Sequence, residues 1–133
     1  MSRKLVKINP NYPNGKRTYL NALLFAIDGL KYAYRNEAAI RLEILLLIVS
    51  VPIACFISAT WVEFIILIMS MFLLLIIELV NTAIEATIDR ISIEQHDLSK
   101  IAKDVASCAV FISSLLVVLV WLSKIIIFIL NRL

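Results

Sequence analysis

Long apolar runs dominate the chain after residue 43 and predict helices that cross a membrane. Residues 44–62 and residues 105–123 each contain 19 residues without a charge. Between them, residues 64–77 are uncharged, and the apolar pattern continues past two acidic residues to Ile88. A helix rises about 1.5 Å per residue, so such a run reaches about 28 Å, close to the thickness of the hydrocarbon core. The pattern therefore predicts three transmembrane helices, over residues 38–60, 61–90 and 99–130.

The residues before the first apolar run predict a mobile tail and a surface helix. Residues 1–16 contain two prolines and a glycine, which are typical of an irregular segment. From residue 17 the polar side chains recur at intervals that keep them on one helical face, with apolar side chains opposite. These polar residues are Arg17, Asn21, Asp28, Lys31 and Arg35. We therefore expect an amphipathic helix over residues 17–36 that lies in the membrane interface, with a helix packed on the bundle as the alternative.

Composition agrees with a membrane protein and excludes several other classes. The chain has 133 residues, of which 62% are hydrophobic, and its mean hydropathy of +0.95 exceeds what one soluble core of this size would need. Two glycines are too few for a glycine-rich phosphate loop or a dinucleotide fingerprint. Two distant cysteines, Cys55 and Cys108, exclude a disulfide scaffold, and we expect both to be buried small side chains. We expect no nucleic-acid partner.

The basic residues predict the orientation of the three spans. Eight of the 13 basic residues precede residue 44, and three more, Arg90, Lys100 and Lys103, lie in the second connection and the span ends beside it, residues 89–104. The first connection, residues 58–62, has none. Because cytoplasmic loops are enriched in lysine and arginine, the N-terminus and the second connection are predicted to be cytoplasmic. Trp61 and Trp121 then both lie near the outer interface, which suits their amphipathic rings.

Acidic residues at membrane depth are the most informative exceptions to the apolar pattern. Glu78, Asn81, Glu85 and Asp89 are separated by three, four and four residues. This spacing places them on one helical face over about 16 Å. An ionised carboxylate that faces lipid would cost a few kcal/mol, so this face is expected to look into the bundle, towards a metal or towards water.

Further polar residues are predicted to lie at the same cytoplasmic level. Glu37 and Glu43 are at the start of the first span, with Arg41 between them as a pairing partner for either, and Lys103 and Asp104 begin the third span. Carboxylates from two helices suit Mg²⁺ with phosphate oxygens, a lysine suits a phosphate, and a spare carboxylate can accept a hydroxyl proton. Metal-assisted chemistry, ion or proton transport, and a purely structural polar network all remain possible on spacing alone.

Three local motifs narrow these alternatives. The segment 36–43, which begins Asn-Glu-Ala-Ala and contains Arg41, resembles the first-helix motif of the small prokaryotic diacylglycerol kinases. Residues 78–90, ELVNTAIEATIDR, resemble the family's central motif E-x-x-N-[ST]-A-I-E-x-x-x-D. Residues 96–99 and 102–104 resemble its third motif, H-x-L-[SA] followed by A-K-D. The three motifs stand in the family's order, and the resemblance covers about residues 17–130.

The resemblance implies an all-α integral membrane protein with three transmembrane helices, an interfacial N-terminal helix and a homotrimeric assembly with shared active sites. It implies transfer of the γ-phosphoryl group of ATP to the hydroxyl of diacylglycerol, in the bacterial inner membrane with the site on the cytoplasmic side. The catalytic residues would be Glu78 as base, Asn81 and Lys103, and the Mg²⁺ ligands would be Glu37 and Glu85. The ATP-binding residues would be Glu37, Glu85, Asp89, Glu94, His96, Lys103 and Asp104. The residues that border the lipid substrate would be Ala39, Arg41, Glu43, Glu78 and Ser107.

Two other functions compete with this prediction. The nearest is the same chemistry on a polyprenol, undecaprenol, because relatives in this fold phosphorylate that alcohol. The other is a small ion-conducting or proton-coupled membrane protein, which would explain the acidic face without a nucleotide and would not need Lys103.

Overall fold

The computed structural model describes residues 19–91 and 96–133, which form four α-helices. They are α1 (Tyr19–Asn36), α2 (Ala38–Ile57), α3 (Trp61–Ile91) and α4 (Asp97–Leu130). In the described part of the chain, α2, α3 and α4 are long and apolar enough to cross a membrane. The prediction of three membrane helices is confirmed in that respect. The predicted tail, residues 1–16, lies outside the described residues.

The helix boundaries differ slightly from the predicted ones. The first span was predicted to reach residue 60, but α2 ends at Ile57, where Ser58 adopts an extended backbone conformation. At the other end, α4 begins two residues before the predicted start, because the imidazole Nδ1 of His96 accepts a hydrogen bond from the amide of Leu98. Both differences arise at helix ends, where a capping contact rather than hydrophobicity decides the boundary.

The N-terminal helix α1 packs mainly against α2. Ala33 is 3% exposed, whereas Leu23, Leu30 and other large apolar side chains of α1 lie on the surface of the protomer. The guanidinium of Arg41 donates hydrogen bonds to the carbonyl oxygens of Tyr34 and Arg35 at the end of α1. Arg41 therefore ties α2 to the C-terminal end of α1, instead of pairing with Glu37 or Glu43 as the sequence suggested. That α1 lies in the membrane interface stays a prediction.

The central helix of the bundle is α3, which packs against both α2 and α4. Its N-terminus carries a capping box: the amide of Glu63 donates to Oγ1 of Thr60, and the amide of Thr60 donates to Oε2 of Glu63. The same carboxylate oxygen accepts a hydrogen bond from the amide of Ala59, at 2.7 Å. These contacts close the short turn between α2 and α3 and fix the direction in which α3 starts.

An ion pair between Lys124 and Glu63 joins α4 to this turn, with Nζ and Oε2 2.7 Å apart. Beside it lies a small apolar cluster built around Ala54, Ile57 and Leu67. Glu63 and Lys124 lie at the opposite end of α3 and α4 from the predicted site. Their pairing was not predicted from the sequence, although each residue interrupts an apolar run.

The expectation that both cysteines are buried is wrong for the protomer. Cys55 and Cys108 are free thiols on its exposed surface. Helices that face lipid present apolar side chains outwards, so a small apolar residue does not need an interior position.

Candidate functional site

The first half of the acidic face of α3, residues 78–82, faces the interior of the bundle. Glu78 and Asn81 are 7% and 9% exposed, and Thr82 beside them is also buried. Glu85 is half-buried, and Asp89 lies at the edge of the bundle. The structure thus confirms that the most deeply placed acid of this face avoids the protomer surface, as the cost of exposing a carboxylate to lipid requires.

Helix α2 brings a second acid against this face. Glu43 is 8% exposed, and its carboxyl group lies near enough to Glu78 for the two to repel each other electrostatically. Glu78 is also within electrostatic range of Glu85 and of Glu37. Glu37 is the residue that separates α1 from α2, where its amide donates to the carbonyl of Ala33 at 2.8 Å. The carboxyl groups of Glu37, Glu43 and Glu85 therefore all lie within electrostatic range of Glu78.

Asn81 links two of the residues on α3. Its Nδ2 donates to Oε1 of Glu85 over 3.4 Å, one turn further along the helix. Its Oδ1 is buried and has no hydrogen-bond partner within the described residues, and the same holds for Oε2 of Glu43. Buried polar atoms normally have partners. Each of these two acceptor atoms is therefore available to a cation, a water molecule or a ligand donor.

Helix α4 contributes the cation of the site. Nζ of Lys103 forms a hydrogen-bonded ion pair with Oδ1 of Asp89. The side chains of Lys103 and Asp89 are 37% and 34% exposed, so this pair is open to ligands from solution. The predicted meeting of Lys103 with the acids of α3 is thus present at the end of the acidic face.

Several predicted site residues remain outside this cluster. Ala39, Asp104 and Ser107 are exposed on the surface of the chain. His96 is exposed and caps α4. Glu94 lies outside the described residues.

The carboxylates fit a small divalent cation only in part. In the described part of the chain, no group of three or more His, Cys, Asp or Glu side chains is close enough to hold a metal ion by itself. However, Mg²⁺ commonly takes one or two carboxylates and completes its shell with water and phosphate oxygens. Glu37 and Glu85 supply oxygens of the right kind, and a cation between them would offset the repulsion around Glu78. The donor set therefore suits a cation that arrives with a phosphate ligand.

Comparisons with known proteins agree on one family. The family model for prokaryotic diacylglycerol kinase matches residues 24–126. A diacylglycerol kinase of Haemophilus influenzae is 40% identical over 102 residues, which cover 77% of this chain and 86% of the relative. One from Pseudomonas aeruginosa is 41% identical over 107 residues, or 80% of this chain and 87% of the relative. One from Escherichia coli K12 is 39% identical over 111 residues, or 84% and 91% of the two chains.

Proposed function

The chain belongs to the prokaryotic diacylglycerol kinase family, and we propose that it transfers the γ-phosphoryl group of ATP to the hydroxyl of diacylglycerol, giving phosphatidic acid. The observation that carries this proposal is the burial of Glu78 among further carboxyl groups, with Lys103 at the open end of the same face. Phosphoryl transfer depends mainly on positioning and charge neutralisation, so a few such groups suffice without a nucleotide-binding domain.

We assign the role of general base to Glu78. In the transfer, the hydroxyl oxygen of diacylglycerol forms a bond to the γ-phosphorus, and its proton passes to the Glu78 carboxylate. The bond between the γ-phosphorus and the oxygen that bridges to the β-phosphate breaks, and ADP leaves with the electron pair. Glu78 is only 7% exposed, and α3 holds its carboxyl group at a fixed depth, as a base that must be positioned against one hydroxyl requires.

The nucleotide side of the site is assigned to the remaining charged residues. Glu37 and Glu85 would hold Mg²⁺ against the phosphates, where its charge offsets that of the transferring group. Asn81 already bonds to Glu85 and would keep that ligand oriented. Lys103 would exchange its partner Asp89 for a phosphate oxygen. Asp89, Glu94, His96 and Asp104 complete the proposed ATP-binding set.

The lipid side is assigned to α2 and the start of α4. Glu43, whose buried Oε2 has no hydrogen-bond partner within the described residues, would border the glycerol headgroup beside Glu78. Arg41 holds α1 through two carbonyls, so it would set the position of the surface helix over the headgroup. Ala39 and Ser107 would border the same region.

We further propose that the working unit is a homotrimer with the N-terminus and the site on the cytoplasmic side. Family resemblance supports the trimer, and the distribution of basic residues supports the orientation. The exposed positions of Asp104 and Ser107 on the protomer agree with shared sites, because there these residues are free to meet the acids of a neighbouring subunit.

A lipid kinase assay tests the proposed function. The purified chain is given labelled ATP and Mg²⁺ with diacylglycerol, with undecaprenol, or with neither, and the labelled lipid is separated and counted. We expect label in phosphatidic acid and little turnover without lipid. A clear preference for undecaprenol would overturn the substrate, and absence of any lipid-dependent transfer would favour an ion-conducting protein instead.

A further inference from the structure

A cavity of about 390 Å³ lies between α3 and α4, at the end of the bundle opposite the candidate site. Its walls are mostly apolar, and Glu63 and Lys124 supply its charged groups, with Ser123 beside them. The volume falls in the range typical of small-molecule sites. Ile66 and Leu119 line it and are 50% and 65% exposed, so the cavity opens towards the lipid-facing surface of the protomer.

Glu63 and Lys124 can each form further hydrogen bonds. All hydrogen bonds that Glu63 accepts within the described residues go to Oε2, from the amides of Ala59 and Thr60 and from Lys124, which leaves Oε1 available. An ammonium group carries three donors. In the described part of the chain, Nζ of Lys124 donates one hydrogen bond, to Glu63. Lys124 is nevertheless only 9% exposed. A nearly buried cation with two unused donors favours a further acceptor.

The depth of this pair is that of a membrane interface. Lys103 and Lys124 are 21 residues apart on α4, which corresponds to about 31 Å along the helix, near the thickness of the hydrocarbon core. Both lysines pair with acids of α3, Asp89 at one end and Glu63 at the other. If the Lys103 end meets one layer of lipid headgroups, the Lys124 end therefore meets the opposite layer.

From these observations we propose that the cavity binds a zwitterionic phospholipid with a primary ammonium, that is, phosphatidylethanolamine. The lipid phosphate accepts hydrogen bonds from the two unused donors of Lys124, and the lipid ammonium donates to Oε1 of Glu63. One acyl chain lies along the apolar wall formed by residues such as Ile66, Leu119 and Ile127. Neighbouring opposite charges complement a headgroup that itself carries both charges, whereas an anionic headgroup would be repelled by Glu63.

The same groups argue against other occupants. Diacylglycerol carries neither a phosphate nor an ammonium, so it could not bond in this way to Oε1 of Glu63 and to the two unused donors of Lys124. This site is therefore separate from the one proposed for the kinase substrate, and a failure here would leave the proposed function untouched.

Native mass spectrometry tests the proposal. The full chain is delipidated in detergent, given equimolar phosphatidylethanolamine and phosphatidylglycerol, and the lipid retained by each protomer is measured. We expect the wild-type chain to prefer phosphatidylethanolamine by about tenfold, the effect of one charge-assisted hydrogen bond. Lys124→Met removes the phosphate contact, and Ile66→Trp fills the cavity without touching the ion pair; both should abolish the preference. Lys100→Met removes an exposed lysine at the other end of α4 and is the matched control, in which the preference is expected to persist.

Three outcomes would overturn the proposal. The first is equal retention of the two lipids by the wild-type chain, and the second is a preference that survives in both Lys124→Met and Ile66→Trp. The third concerns a second copy as the occupant. If Ser123→Cys, introduced after Cys55→Ala and Cys108→Ala, forms a disulfide between protomers, the cavity is part of a subunit interface and does not hold a lipid.

Discussion

Nδ2 of Asn81 lies 3.4 Å from Oε1 of Glu85 and donates a hydrogen bond to it. The contact joins a buried amide to a half-buried carboxylate one turn along α3. It restricts the rotamers of a carboxylate that we assign to Mg²⁺, in the way that outer-sphere partners orient metal ligands elsewhere. We therefore propose that Asn81 is a positioning residue for Glu85.

Replacing Asn81 with alanine should weaken the metal more than it weakens the fold. In Asn81→Ala the Glu85 carboxylate loses its partner, and we expect the Mg²⁺ concentration for half-maximal rate to rise about ten- to a hundredfold. A titration of turnover with Mg²⁺ at saturating ATP measures this. Asn81→Gln keeps an amide and is the conservative comparison. If Asn81→Ala lowers the thermal stability but leaves the metal titration unchanged, the contact is structural only.

Glu78→Gln should abolish transfer while ATP still binds. The amide has nearly the same shape and can occupy the same buried position, but it cannot accept the hydroxyl proton. We expect the rate of phosphatidic acid formation to fall by at least about a hundredfold, the lower range for loss of a general base. Radiometric turnover and equilibrium binding of a nucleotide analogue give the two readouts. Retention of a substantial rate would remove Glu78 as the base.

Glu37 and Glu85 are predicted to act on the same ion. Glu37→Gln and Glu85→Gln should each raise the Mg²⁺ requirement, and the double variant should lose more than either, because one carboxylate remains in each single variant. Turnover titrated with Mg²⁺ at fixed ATP separates this effect from a change in maximal rate. Lys100→Met serves as the surface control. An unchanged titration in both single variants contradicts their assignment as ligands.

Lys103 should matter for the nucleotide beyond its ion pair with Asp89. Lys103→Met removes a cation for the phosphates, and we expect the KM for ATP to rise about tenfold or more. Asp89→Asn breaks the same ion pair but keeps the lysine and leaves at position 89 a polar side chain that can still hydrogen-bond to ATP, so it should raise the KM much less. Steady-state kinetics on both variants make the comparison. Equal effects would mean that the pair, rather than the cation, is what the site needs.

The sequence predicts the membrane helices and the acidic face well, because both follow from strong local patterns. Uncharged runs of 19 residues have few stable alternatives to a spanning helix. The spacing of Glu78, Asn81 and Glu85 fixes their common face as soon as a helix forms. The meeting of Lys103 with the acids of α3 follows from antiparallel packing of neighbouring spans, and the structure contains it.

The contacts that were not predicted are those of charged side chains for which the sequence offers several possible partners. Arg41 lies between two glutamates in sequence, yet it donates to the carbonyls that end α1, since the break at Glu37 brings those unpaired groups within its reach. Thr60 and Glu63 form a recognisable capping box, but the pairing of Glu63 with Lys124 needs the register of α3 against α4. Only the packed helices supply that register.

Removing Glu63 from the Glu63–Lys124 ion pair should destabilise the fold more than removing Lys124. Glu63→Gln leaves Lys124, with a side chain only 10% exposed, as an uncompensated cation, whereas Lys124→Met leaves a carboxylate that still accepts two backbone hydrogen bonds. We expect the free energy of unfolding to fall more for Glu63→Gln than for Lys124→Met. Equilibrium unfolding in detergent micelles measures both. In the double variant neither charge remains unpaired, so its loss should be smaller than that of Glu63→Gln alone. Equal losses for the two single variants would mean that Lys124 is stabilised by its surroundings rather than by Glu63.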